Sequence, residues 1–178
     1  MKVGHFHLRT LLLGLFGLAL AACQDNPGPT AEAGGARYQT TTIDGVALLN
    51  TLPGQRLAPA GIVTQVIGPE GGFIEVDGGR LDIPAGALAA PMLITEIGKE
   101  APHYRYKFGP NGLQFAAPAM LTIQVDPAAL GIDPSQVRVA GSDDLGLEWT
   151  VLGGTYDPAL GAVVVPIEHF SQYALCID

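Results

Sequence analysis

Apolar and polar residues alternate with a period of two along most of the chain after residue 61, which is the spacing of a strand with one buried face. The clearest case is His103–Phe108, where three aromatic residues alternate with His, Arg and Lys. No long segment has the period of an amphipathic helix. The same alternation predicts strands at Leu121–Val125, Gln136–Val139, Leu147–Val151 and Tyr173–Ile177. Further strand candidates are Ile62–Ile67, Gly72–Val76, Met92–Ile97 and Ala162–Ile167.

Turn residues separate these segments at short, regular intervals. They are Gly71-Gly72, Asp77-Gly78-Gly79, Pro110-Asn111-Gly112 and Gly153-Gly154. Short strands with such turns are typical of an antiparallel sandwich or barrel, and we predict an all-β antiparallel β-sandwich. Two brief helical turns are expected, at Pro84–Leu88 and at Asp126–Leu130, the second with Asp126 as its N-cap and Gly131 after its end.

Residues 38–60 are predicted to form an N-terminal hairpin or an ordered arm. Thr40–Ile43 and Val46–Leu49 flank Asp44-Gly45, a dipeptide that favours a two-residue hairpin turn. Pro53-Gly54 would end this segment. The sandwich domain would then occupy residues 61–178, with a core that includes Tyr104, Tyr106, Leu121, Ile123, Leu147 and Trp149.

The first 22 residues have the pattern of a bacterial lipoprotein signal peptide. Lys2 and Arg9 precede an apolar segment, which ends in the lipoprotein box Leu20-Ala21-Ala22-Cys23. An ordinary signal peptide or a membrane helix is the alternative, but the apolar segment is short for a bilayer crossing. We expect acylation of Cys23, followed by a flexible tether over residues 23–37 that contains three Gly and two Pro.

This leader predicts a location in the bacterial cell envelope. The residue after the cysteine is Gln24 rather than the Asp associated with inner-membrane retention, so we predict anchoring in the outer membrane. Removal of the leader leaves 156 residues, with seven basic against seventeen acidic side chains and a net charge of −10. That charge excludes nucleic acid as an expected partner. Cys176 is then the only cysteine besides the acylated one, and we expect a small packed hydrophobe rather than a reactive thiol.

Four sequence blocks resemble the ZU-five domain, which is shared by a zona occludens tight-junction protein, uncoordinated-class netrin receptors and ankyrins. The blocks are Gly71-Gly72, Leu81–Leu88, Phe108–Phe115, and Pro118 with the strand Leu121-Thr122-Ile123. They cover about Ile62 to Val125. The resemblance implies a β-sandwich used for docking within or between molecules, with no cofactor and no general catalytic site.

The resemblance also draws attention to His169-Phe170-Ser171. One subset of the family cuts its own chain between Phe and Ser in a His-Phe-Ser triplet just after the domain. In such a reaction Ser171 would attack the Phe170 carbonyl to form an ester, and His169 would take the proton before water completes the cleavage. The reaction would need a strained peptide bond and a donor for the oxyanion.

A packing corner is the alternative for this triplet. The apolar parity of Val163, Val165 and Ile167 continues in Tyr173, Leu175 and Ile177, whereas Phe170 falls on the other parity. A bulge or corner must therefore lie between the two strands if Phe170 is to reach the core. We favour the corner over self-cleavage.

Other candidate sites are weaker. Asp143-Asp144 with Glu148 could hold calcium, although the spacing fits no EF-hand and a solvated turn is the simpler explanation. His103, Arg105 and Lys107 form a basic stripe that could meet an anionic partner, or simply face solvent. Trp149 lies on an inward parity, as expected for core rather than for a sugar platform. Glu148 and Asp157 are the nearest approach to an acid/base pair.

These observations predict an envelope-anchored lipoprotein with a non-enzymatic β-sandwich as its interaction or structural module. Its expected partners are the membrane, through lipid on Cys23, and an envelope protein; no cofactor or metal is expected. Self-cleavage between Phe170 and Ser171 is the first alternative. A cell-surface glycan-binding protein or hydrolase is the second.

Overall fold

The computed structural model describes residues 37–52, 60–143 and 145–178. The predicted signal peptide, Cys23, nearly all of the tether, Pro53-Gly54 and Asp144 lie outside these residues. The strands are β1 Thr40–Ile43, β2 Val46–Leu49, β3 Ile62–Ile67, β4 Gly72–Val76, β5 Gly79–Ile83, β6 Met92–Ile97, β7 Arg105–Gly109, β8 Gln114–Gln124, β9 Val137–Ser142, β10 Trp149–Gly153, β11 Thr155–Asp157, β12 Ala162–His169 and β13 Gln172–Ile177. One short helix, α1 Pro127–Leu130, and a 3-10 turn at Pro134–Gln136 lie between β8 and β9.

The strands form two antiparallel sheets. The larger has eight strands in the order β1-β2-β13-β7-β6-β3, with β9 on the other side of β13 and β10 beyond β9. The smaller has five strands in the order β11-β12-β8-β5-β4. The predicted all-β antiparallel sandwich is therefore confirmed.

The core lies between the inner faces of the two sheets. From the smaller sheet come the inward residues of three strands, among them Leu81, Leu121, Ile123, Val163, Val165 and Ile167. From the larger sheet come Ile94, Tyr106, Phe108, Val139, Tyr173 and Leu175. These residues recur at every second position of each strand, so the alternation in the sequence predicts which face is buried.

A second apolar cluster covers the other side of β13. Ala174 and Cys176 point away from the main core and pack with Val46, Leu48 and Trp149. Burial raises the pKa of the Cys176 thiol to about 12, which keeps it protonated and poorly nucleophilic. The predictions that Cys176 is a packed hydrophobe and that Trp149 is buried are both confirmed.

The predicted hairpin across Asp44-Gly45 is present, and β2 extends the larger sheet by pairing with the end of β13. Helix α1 also matches its prediction, because the Asp126 side chain accepts a hydrogen bond from the Ala129 amide and Gly131 adopts a left-handed conformation. The prediction of a helical turn at Pro84–Leu88 is wrong. That segment is a hydrogen-bonded turn in which the Ala87 amide donates to the Pro84 carbonyl.

The prediction that Leu147 is a core residue is also wrong. Its side chain is 64% exposed, and β10 begins two residues later, at Trp149. The cause is the Asp143 carboxylate, which accepts hydrogen bonds from the Leu147 amide at 2.7 Å and the Glu148 amide at 3.1 Å. These bonds close a loop, so the alternation in the sequence starts before the strand does.

Candidate functional site

The His169-Phe170-Ser171 triplet connects the two sheets. β12 lies in the smaller sheet and β13 in the larger one, and the chain crosses between them at Phe170 and Ser171. The pairing of β12 with β8 shifts its register between Ile167 and His169. The bulge and corner predicted from the parity of the apolar residues are therefore present.

Phe170 is the anchor of this corner. Its side chain has no exposed surface, and its ring lies 6.0 Å from that of Phe108, nearly parallel, and 5.0 Å from that of Phe115, edge to face. Both arrangements are favourable for aromatic pairs. Because Phe108 belongs to β7 and Phe115 to β8, Phe170 joins one strand of each sheet.

Hydrogen bonds hold the backbone of the corner. The Phe170 amide donates to the Leu113 carbonyl at 2.8 Å, and the Phe170 carbonyl accepts from the Gly112 amide at 3.1 Å. Gly112 has a φ of +74°, which a residue with a side chain rarely adopts. The buried Ser171 hydroxyl donates to the Ser142 carbonyl, at the end of β9.

The corner provides hydrogen-bond donors for the oxyanion of an acyl shift, but it does not place a general base on the nucleophile. The Phe170 carbonyl oxygen accepts the Gly112 amide and lies 3.3 Å from His169 Nδ1, so a negative charge developing on it could meet two donors. The nucleophile lacks a comparable arrangement. Ser171 Oγ donates to a backbone carbonyl, which is no general base, and the recorded contact of His169 is to the carbonyl oxygen.

A cleft of about 220 Å³ lies beside the corner, lined by His169, Tyr173, Ser142, Asp143 and Glu148 among others. The structure thus brings His169 near Asp143 and Glu148, two of the three residues of the candidate calcium loop. The Asp143 carboxylate is already used by backbone amides, and its hydrogen bond from the Glu148 amide is the largest cause of a lowered pKa. Across residues 37–52, 60–143 and 145–178, no group of three or more His, Cys, Asp or Glu side chains is placed to hold a metal ion.

Glu148 and Asp157 do not form an acid/base pair. Asp157 lies opposite Ala162, at the start of β12, whereas Glu148 shares the cleft with His169, at the end of β12. β12 has eight residues and a rise of about 3.3 Å per residue, which places its two ends roughly 20 Å apart. A hydrolase that uses these two carboxylates is not supported.

The basic stripe predicted over His103, Arg105 and Lys107 is largely wrong. His103 is buried, and its Nδ1 lies 2.7 Å from Oδ1 of Asn50, the residue that follows β2. Arg105 pairs with Glu100 at 2.6 Å. Lys107 lies on the outer face of β7. Among the described side chains of the predicted stripe, it is the cation that forms no ion pair.

An exposed apolar surface that the sequence did not indicate lies on the same face of the sheet. Ile62, Val66 and Leu93 are 67%, 61% and 62% exposed, and Val66 lies directly opposite Leu93 in the register of β3 and β6. Thr64 and Thr95 complete this surface, which we call the β3–β6 face. Only the strand order brings these residues together, so no local pattern could have identified it.

Glu96 was also missed. It lies on the inner face of β6 with no exposed surface, and neither carboxylate oxygen has a hydrogen-bond partner among the described residues. Burial, and then the charges of Glu75 and Asp77, raise its pKa to about 9. Met92–Ile97 carries apolar residues on both parities, so the sequence alone does not show that position 96 faces inward.

Comparison with models of known protein families and with curated protein sequences gave no match. Within the described part of the chain, no helix has the length and apolar character that crossing a membrane requires.

Proposed function

We propose that this chain is a lipid-anchored protein of the bacterial envelope whose β-sandwich is a non-enzymatic docking module. The β3–β6 face is the proposed docking surface. Its partner would be an envelope protein that presents an extended apolar segment with an acidic residue.

The observation that carries this proposal is the position of the apolar β3–β6 face at the edge of the larger sheet. β3 is the last strand in that sheet and, among the described strands, pairs only with β6. Its six residues, Ile62–Ile67, contain no charge and no proline. Such an edge offers unpaired backbone groups for addition of a further strand, and natural proteins usually protect it with charges or proline.

A positive charge beside the β3–β6 face favours a partner segment that contains an acidic residue. Ile97 at the end of β6 lies opposite Lys107 on β7, so a cation borders the apolar residues. The mature chain as a whole is strongly acidic. An acidic partner residue would therefore be attracted locally to Lys107 while the rest of the surface repels it.

Site-specific crosslinking in living cells tests this proposal. A photo-crosslinking amino acid at Thr64 should capture one envelope protein, and Val66→Lys should abolish that capture. Leu160 lies exposed in the turn between β11 and β12 of the smaller sheet and is not part of the β3–β6 face. A probe there should not capture the protein, and Leu160→Lys should leave the Thr64 product unchanged. Mass spectrometry of the crosslinked peptide would identify the segment.

Capture that persists in the Val66→Lys variant would contradict docking on this face. So would a crosslinked peptide that is predominantly charged, or one that comes from a second copy of this chain.

Self-cleavage is a second candidate because the Phe170 carbonyl accepts the Gly112 amide and lies close to His169. In that case Ser171 Oγ would bond to the Phe170 carbonyl carbon as the Phe170–Ser171 peptide bond breaks, and water would hydrolyse the ester. Ser171→Ala should abolish cleavage, whereas Ser171→Cys could preserve it. An uncleaved wild-type chain after prolonged incubation near neutral pH would exclude this activity.

A further inference from the structure

A second cleft lies at the opposite end of the sandwich from the His-Phe-Ser corner. It measures about 430 Å³, and its lining includes Lys99, Tyr104, Gln124, Asp126 and Tyr156. Sites for small molecules commonly have volumes of about 300–1,000 Å³. The cleft draws on both sheets. In the larger sheet Lys99 follows β6 and Tyr104 precedes β7, and in the smaller sheet Gln124 ends β8 and Tyr156 lies on β11.

Lys99 provides a cation that forms no ion pair with a described carboxylate. Its ammonium lies 4.6 Å from the centroid of the Tyr104 ring, and no described carboxylate lies within 4.0 Å of it. Burial lowers the pKa of Lys99, and the more distant charge of Asp77 acts in the opposite direction. A bound anion would give this partly desolvated ammonium a closer electrostatic partner.

Asp126 and Gln124 favour a ligand that carries hydroxyl groups as well as a negative charge. The Asp126 carboxylate caps α1 through one oxygen, which accepts from the Ala129 amide at 3.0 Å, and it retains further acceptor positions. A simple anion would be repelled there, whereas hydroxyl groups could donate to it. The Gln124 amide can both donate and accept.

Two tyrosines complete the lining. Burial, and then the charge of Asp126, raise the pKa of Tyr104, so its hydroxyl stays a neutral donor. Tyr156 is half-buried on β11. Tyr104 is only 6% exposed and Lys99 lies over its ring, so Tyr156 is the ring whose flat apolar surface could pack on the face of a sugar.

We propose that this cleft binds a carboxylated sugar, with the carboxylate at Lys99, hydroxyl groups at Asp126 and Gln124, and the ring against Tyr156. This inference is independent of docking on the β3–β6 face, because the cleft shares no residue with that face.

Titration calorimetry on the full mature chain in detergent micelles tests the proposal. The probes are glucuronate, N-acetylmuramate and N-acetylneuraminate, with neutral glucose and inorganic phosphate for comparison. At least one carboxylated sugar should bind saturably and more tightly than glucose and phosphate. The amide signals of Gln124 and Gly161 should shift in NMR spectra during that titration.

Lys99→Met keeps the apolar stem on Tyr104 but removes the charge, and it should weaken binding by about tenfold or more. Lys107→Met is the matched control and should leave binding unchanged, since Lys107 lies on the β3–β6 side of the larger sheet. The proposal is overturned if none of the three acids binds saturably, if Lys99→Met binds as well as the wild type, if glucose binds equally well, or if phosphate binds as tightly. The last result would indicate a site for a simple anion.

Discussion

Glu96 has a carboxyl group that is fully buried and has no hydrogen-bond partner among the described residues. A carboxylate buried without partners costs several kcal/mol, and a protein usually avoids that cost by keeping the group protonated. With a pKa of about 9, the Glu96 carboxyl is neutral near pH 7. Gly79 makes room for it, since a Cβ there would lie 2.8 Å from Glu96 Oε1 and 2.4 Å from the Tyr106 ring.

We predict that Glu96 makes the protein less stable as the pH rises. The pKa in the folded state is raised above the unfolded value of 4.5, so the folded state binds the proton more tightly. The contribution is fully present below about pH 4.5 and is lost as the pH rises to about 9. Urea unfolding across this range measures it.

Glu96→Gln should flatten this pH dependence, because the amide does not titrate. Glu168→Gln, at an exposed position of β12, is the control and should retain it. An unchanged slope in the Glu96→Gln protein would show that another group is responsible.

At the scale of elements, strands were predictable where a buried face and turn residues agreed. β3, β4 and β6 have the predicted bounds, because a short apolar segment between turn residues indicates a strand even where the alternation is imperfect. The pattern does not delimit β5 or β11. The beginning of β10 was wrong because the Asp143 side chain, four and five residues away, takes the amides of Leu147 and Glu148.

The start of β10 gives a test with a matched pair of variants. Trp149→Ala should lower the free energy of unfolding by about 3–5 kcal/mol, since Trp149 fills the second apolar cluster and donates to the Gly146 carbonyl. Leu147→Ala should cost less than about 0.5 kcal/mol, as expected at an exposed position. Chemical denaturation measures both. Equal losses would mean that Leu147 belongs to the strand after all.

The candidate sites were predictable to different degrees. The corner followed from the sequence because the parity conflict around Phe170 is local. The β3–β6 face and the cleft at Lys99 could not be predicted, because each combines strands whose adjacency only the sheet order determines. The prediction of a basic stripe is wrong for a similar reason, since Asn50, which follows β2, contacts His103 from a segment distant in sequence.

At the scale of the whole molecule, the described residues place three features on one sandwich. The His-Phe-Ser corner fastens the two sheets at one end, the cleft at Lys99 opens at the other, and the β3–β6 face lies along an edge. Phe170 and the Ser171 hydroxyl are both engaged in packing and hydrogen bonding. This arrangement supports a stable docking domain that is carried on the proposed lipid anchor.

The intact mass of the protein extracted from cell membranes, measured under denaturing conditions, tests this account most directly. We predict one species that begins at an acylated Cys23 and continues unbroken to Asp178. An eight-residue fragment from Ser171 to Asp178 would show that the corner is a reactive site. A mature chain without acyl groups on Cys23 would remove the proposed anchor and with it the proposed role in the envelope.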